Sequence, residues 1–193
     1  AGIFLLGYLI TVKKPKNKVF YAKEGFISVA LSWFALSLFG CLPFLLNRDI
    51  PRFIDAFFEM VSGFTTTGST ILKDVEILSH CSLFWRSFSH WIGGVGVLVF
   101  FLSVLPIAGG ATMYLMKAES PGPQVGKMVP KIRDTAIILY LIYSVMTVVE
   151  IILLLFSGMP FFDAVTLSFG TAGTGGFAIR NSGLADYSAC AQY

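Results

Sequence analysis

Two stretches of this chain, residues 26–47 and 87–116, contain no Asp, Glu, Lys or Arg at all. Each exceeds the roughly 20 apolar residues that cross a bilayer. A water-soluble surface needs charge throughout, at about 25% of residues, whereas only 13% of these 193 residues are charged. An ordinary soluble domain is therefore excluded. Disorder is excluded too, because 15% of the residues are aromatic and no low-complexity tract occurs. A chain that crosses lipid must satisfy its backbone within each segment, so the expectation is an all-α polytopic membrane protein.

The charges that remain are clustered. Lys13, Lys14, Lys16, Lys18 and Lys23 form one basic group, and Lys117, Lys127, Lys131 and Arg133 form another. The positive-inside rule places both in the cytoplasm. Residues 48–86 mix both signs and suit the opposite side. The net charge of +3 is too small for a nucleic-acid partner, and membrane lipid is the expected surrounding. Cys41, Cys81 and Cys190 have no paired spacing and read as small buried or interfacial thiols. The first twelve residues run into the basic cluster without a small-residue cleavage site, so they read as the tail of a further membrane helix. Neither end has the features of a natural terminus, and a fragment is expected.

Residues 26–46 predict a complete span. Residues 51–64 are apolar but too short to span, and they end in Thr65-Thr66-Thr67-Gly68-Ser69-Thr70, which suits a half-helix that enters the membrane and turns back. A run from Phe84 to about Leu105 returns to the cytoplasm, with Gly93, Gly94 and Gly96 allowing close helix contact. A Pro/Gly-rich linker follows, then a span at 135–156 and a second short helix at 160–170. That helix leads into Thr171-Ala172-Gly173-Thr174-Gly175-Gly176-Phe177. The resulting division is 1–12, the end of an additional N-terminal membrane helix; 13–25, a basic cytoplasmic loop; 26–106, a first helix, pore-loop, helix repeat; 107–134, a cytoplasmic linker; and 135–193, a second, incomplete repeat.

The repeat shows when the chain is slid by 108 positions. Phe53-Ile54-Asp55-Ala56 then falls near Phe161-Phe162-Asp163-Ala164, and Gly68 falls on Gly176. Two parallel copies suggest a pseudosymmetric pore to which this chain contributes part. A cation losing its water in a membrane needs oxygen ligands, which backbone carbonyls supply without fixed charge. Gly68, Gly175 and Gly176 permit the necessary dihedrals. The carbonyl ends of the half-helices favour a cation, and Asp55 and Asp163 are expected to cap amides at their starts.

The segments Asp55-Ala56-Phe57-Phe58-Glu59, Thr65 to Thr70, Phe84-Trp85-Arg86 and His90-Trp91-Ile92-Gly93-Gly94-Val95-Gly96 together resemble the Trk/Ktr/HKT potassium-transporter superfamily. With Lys117-Ala118-Glu119-Ser120-Pro121-Gly122-Pro123 and Gly175-Gly176-Phe177, the resemblance is closest to the Trk-type membrane subunit. It implies four helix, pore-loop, helix repeats around one path, of which this chain would hold the first and most of the second. It further implies potassium uptake, with potassium as substrate and no cofactor in this chain. The carbonyls of Thr66, Thr67, Thr174 and Gly175 would bind the ion, with Gly68 and Gly176 at the filter turns, where a serine would resemble the sodium-tolerant plant branch. It implies a multi-pass protein of the cell inner (plasma) membrane, a homodimer and a cytosolic nucleotide-binding regulatory subunit.

Glu59 and Arg86 are expected to pair behind the first loop and support it, the alternative being a solvated pair at the membrane surface. Glu150, inside an apolar span, either faces a water-filled vestibule, pairs across a helix interface or is neutral. His80 and His90 lack metal-ligand spacing, and His90 beside Trp91 reads as a packing residue before a proton carrier. An intramembrane enzyme is disfavoured, since no nucleophile and base stand at motif spacing. A sodium-permeable or ion-coupled symporter is the alternative transporter, and a non-transporting scaffold a further class.

Overall fold

The computed structural model describes residues 22–96 and 132–192. The expected additional N-terminal helix, most of the basic loop, the later part of the returning run and most of the Pro/Gly linker lie outside the described residues. All regular structure among the described residues is helical. In chain order the elements are α1 (Ala22–Gly40), α2 (Leu42–Leu46), α3 (Phe53–Phe64), α4 (His80–Val95), α5 (Ile132–Phe156), α6 (Phe161–Ala172) and α7 (Ala189–Gln192).

Ile27–Leu46 and Ala136–Phe156 are long and apolar enough to cross a membrane. A helix in the core of a soluble protein would be covered on its apolar side, yet Leu141, Met146 and Leu153 on α5 are 61%, 67% and 62% exposed. That surface suits lipid or neighbouring helices. Polar side chains in these spans turn back on their own backbone. Ser32 donates to the Ser28 carbonyl at 2.8 Å, and Ser144 to that of Tyr140 at 2.8 Å.

The span expected at 26–46 is present, with its helix interrupted at Cys41. Pro43 lies in the first turn of α2 and cannot continue the ladder of α1, because it has no N–H and its ring would strike the carbonyl of residue 39. The chain turns at Cys41, and the Gly40 carbonyl, freed at the break, accepts the Trp85 indole N–H at 2.8 Å. Gly40 also lets α3 approach, since a Cβ there would stand 2.8 Å from the Phe64 ring. Cys41 is buried at this junction, while Cys81 and Cys190 are exposed.

α3 and α6 each have 12 residues. At 1.5 Å per residue that is about 18 Å, well short of a bilayer core of about 30 Å. Their bounds differ by the same 108 positions as the sequence repeat. α4 packs between the two half-helices, α1 lies against α3, and α5 lies against α6. Ala56, Met60 and Phe64 of α3 close one core with Phe44 and Leu83. Between α4 and α6, Phe88 stacks on Trp91 at 5.7 Å, and Phe169 fits against both rings.

α4 begins earlier than expected, at His80, because Ser79 caps it and Asp49 accepts the hydroxyls of both Ser79 and Ser82. It stops at Val95, where Gly96 takes φ 77° and ends the helix in the manner of a glycine cap. The expected caps at Asp55 and Asp163 do not form. Arg52 and Pro160 occupy the N-cap positions without side-chain hydrogen bonds. Asp163 accepts instead from the Tyr187 hydroxyl at 2.7 Å and from Arg180 at 3.3 Å. Both carboxylates still lie in the first turns, where they complement the helix dipole.

Candidate functional site

The two half-helices end in loops of the same construction. In the first, the N–H groups of Thr65, Thr66 and Thr67 donate back to the carbonyls of Val61, Gly63 and Ser62. In the second, those of Gly173, Thr174 and Gly175 donate to Phe169, Thr171 and Gly170. The partners correspond one for one at 108 positions. Thr66 and Thr174 take φ 53° and 57°, a conformation that ordinary side chains rarely adopt, and Gly68 and Gly176 take φ 75° and 73°. Thr65 and Thr67 link their hydroxyls at 2.8 Å.

This geometry separates donors from acceptors. The N–H groups of residues 65–67 and 173–176 are spent on the half-helices, whereas among the described hydrogen bonds none ends on the carbonyl of Thr66, Thr67, Thr174 or Gly175. Thr67 and Thr174 are exposed, and Thr66 and Gly175 half-buried. A surface that offers carbonyl oxygens without competing N–H groups attracts cations and repels anions. The loops also touch, since a Cβ on Gly68 would stand 2.0 Å from the Gly175 carbonyl oxygen.

The second loop is less polar than the first because α4 presses on it. Gly173 stands where the first loop has Thr65, and a Cβ there would be 2.3 Å from the His90 carbonyl oxygen. Gly175 stands where the first has Thr67, and its Cβ would fall 2.3 Å from the His90 ring. Gly93 and Gly94 of α4 divide the work. A Cβ on Gly93 would meet the Phe64 carbonyl at the end of α3 and the Thr66 side chain of the first loop, and one on Gly94 would meet Gly173 of the second. The close contact expected of these glycines is thus made with the loops.

Glu59 and Arg86 come together away from solvent. Arg86 Nε donates to Glu59 Oε1 at 2.6 Å, and the side chains are 3% and 0% exposed. The solvated alternative does not hold. Glu59 also accepts from the Thr70 hydroxyl at 2.8 Å and the Ile71 N–H at 3.1 Å, which fixes the chain leaving the first loop. Arg86 Nη1 donates to the Ala178 carbonyl at 2.9 Å, which fixes the chain leaving the second. Their spacing in sequence pointed to the first loop alone. The tie to the second was missed because its partner is a backbone carbonyl 92 positions away.

Further out, Asn181 docks on the segment after the first loop. It accepts from Val75 N–H at 3.0 Å and donates from its side chain to Asp74 at 2.7 Å. That bond, with the Glu76 N–H, holds the Asp74 carboxyl below the usual carboxylate range. Burial, followed by the hydrogen bond to Asp163, pushes the Tyr187 phenol up to about 12. Glu150 is half-buried on α5 beside the Thr171 hydroxyl at the end of α6. His80 lies edge-on to Phe162, and His90 is fully buried.

The family model TrkH, a cation transport protein, matches residues 3–191. The chain belongs to the TrkH family. It is 44% identical over 163 residues to the Trk system potassium uptake protein TrkH of Salmonella typhimurium, covering 83% of this chain and 34% of that one. To the protein of the same name from Escherichia coli K12 it is 42% identical over 174 residues, covering 89% and 36%. The crystal structure of the potassium transporter TrkH from Vibrio parahaemolyticus superposes with a TM-score of 0.70 at 33% identity, covering 93% of this chain and 35% of that one. The chain therefore spans about a third of the length of the TrkH relatives it matches. The helical, pore-unit architecture expected from the sequence is that of the TrkH fold, and the family is one of membrane cation transport proteins.

Proposed function

We propose that this segment forms part of a potassium-uptake path, in which the carbonyls of Thr66, Thr67, Thr174 and Gly175 replace the water of a dehydrating potassium ion. The supporting observation is the sorting of the two loops, in which the N–H groups of residues 65–67 and 173–176 turn to the half-helices while these carbonyls carry no described hydrogen bond. The relatives named as potassium uptake proteins support the same reading. Gly68 and Gly176 hold the turns, and glycine at both fits the potassium pattern of the superfamily rather than the sodium-tolerant one. Glu59 and Arg86 support the loops from behind. The C-terminal ends of α3 and α6 add negative potential at the ion sites.

In this reading the protein is a multi-pass component of the cell inner membrane, it performs no covalent chemistry and it uses no cofactor. It assembles as a homodimer with a cytosolic nucleotide-binding subunit, for which the basic linker at 117–133 is a contact. The test is ion flux in proteoliposomes made with a complete transporter carrying this segment. Potassium flux well above that of sodium is the expected result. Flux that requires sodium or a proton gradient would favour the symporter alternative, and no cation flux would overturn the reading.

A further inference from the structure

Phe177 follows the turn of the second loop, and two residues of α4 hold its ring. The Arg86 guanidinium carbon lies 3.5 Å from the ring centroid, and the His90 imidazole stacks at 3.9 Å with the planes 18° apart. Two groups this near one centroid must occupy opposite faces. Arg86 is already fixed by Glu59 and Ala178. His90 is fully buried and does more than fill space. Its Nδ1 accepts the Phe177 N–H at 3.4 Å. Its ring occupies the position of a Gly175 Cβ, and its backbone carbonyl that of a Gly173 Cβ. One residue thus contacts three alternate positions of the second loop, on both sides of Thr174 and of Gly176.

We propose that His90 is the positioning residue of the second loop, holding the peptides around Gly176 through a neutral imidazole whose Nδ1 is unprotonated. The proposal rests on the reading of that loop as an ion site and names what fixes its geometry. The N–H of Phe177 is the next donor after those of Gly175 and Gly176, which α6 takes up. Left without a partner, it would compete with the neighbouring carbonyls or turn its peptide towards the ion. Only a ring nitrogen without a proton can accept it. The charged groups nearby agree with a neutral ring. Arg86 lies one turn earlier on the same helix and repels a second positive charge, Glu59 of α3 is engaged by Arg86, and the second loop offers only backbone and Phe177. Nε2 is buried, with the Ser62 backbone of α3 beside the ring.

The test compares potassium and sodium flux through a complete transporter carrying this segment, unaltered and with His90→Phe or His90→Asn. Phenylalanine keeps a stacking ring and loses the acceptor, so the potassium-to-sodium ratio should fall about tenfold, equivalent to about 1.4 kcal/mol of differential binding. Asparagine places an oxygen near the position of Nδ1 and should retain more of the ratio. A wild-type ratio in His90→Phe overturns the proposal. Absence of potassium flux in the unaltered protein overturns the ion-site reading instead. If neither variant reaches the membrane, the nitrogen-15 spectrum of His90 in the unaltered protein decides. An unprotonated Nδ1 is expected, and a protonated one overturns the assignment.

Discussion

Arg86 Nε lies 2.6 Å from Glu59 Oε1, with both side chains almost fully removed from solvent. Charges so buried are tolerated only when each is fully engaged. Here both Glu59 oxygens and Arg86 Nη1 also hold a segment that leaves one of the two loops.

Breaking this pair from one side should therefore cost more than removing it. Glu59→Gln leaves the Arg86 charge uncompensated and should destabilise by about 3–5 kcal/mol. Glu59→Gln with Arg86→Gln should recover part of that loss. Thermal unfolding of the four proteins in one lipid or detergent system gives the coupling energy. Additive effects would show that the pair does not act as a unit.

Serine at the two filter turns should not be equivalent. At Gly176 nothing lies within 4 Å of a new Cβ, so the cost is the positive φ alone, about 1–2 kcal/mol. At Gly68 the same strain is joined by a collision with the Gly175 carbonyl, itself a proposed ligand. Gly68→Ser should lower the potassium-to-sodium flux ratio more than Gly176→Ser. Equal effects would separate the Gly175 carbonyl from selectivity.

Gly173→Ala should be costly, because its methyl would meet the His90 carbonyl at 2.3 Å and α4 cannot withdraw without also leaving the first loop. Overpacking of this kind costs about 1–3 kcal/mol. Gly173 sits at φ −74°, so this cost is steric alone, whereas Gly158→Ala, with open space but φ 87°, meets only a backbone penalty. The melting temperature of Gly173→Ala should fall below that of the unaltered protein, and an unchanged value would show that α4 can give way.

The hydrogen bond between Asn181 and Asp74 requires that both lie on one side of the membrane. Cysteines at these positions should react with an impermeant reagent from outside intact cells, and cysteines at Lys18 and Lys127 should not. Labelling of Lys18→Cys and Asp74→Cys from the same side would refute the topology.

The half-helices were legible because Asp55 and Asp163, Gly68 and Gly176 recur at one spacing, and because twelve apolar residues cannot span. The break at Cys41 was less legible, since the apolar run continues through it and only Pro43 signals the interruption. The reason the second loop has Gly173 and Gly175 could not be read at all. It depends on the His90 backbone and ring, more than 80 positions earlier in the chain, and no local pattern records which helix will press on which loop. For the same reason the sequence separated a packing role for His90 from proton carriage but gave no sign of Phe177 as its partner.

The placing of α4 between both loops limits how such a protein can be re-engineered. A loop taken from a relative and spliced behind α6 would meet Gly94 and His90 of the host, whose shapes suit Gly173 and Gly175 and leave no room for larger residues. Exchanging the second loop alone should therefore fail where exchanging it together with α4 succeeds. The unit of transplantation straddles the repeat boundary, so chimeras cut between repeats would divide the parts that have to travel together.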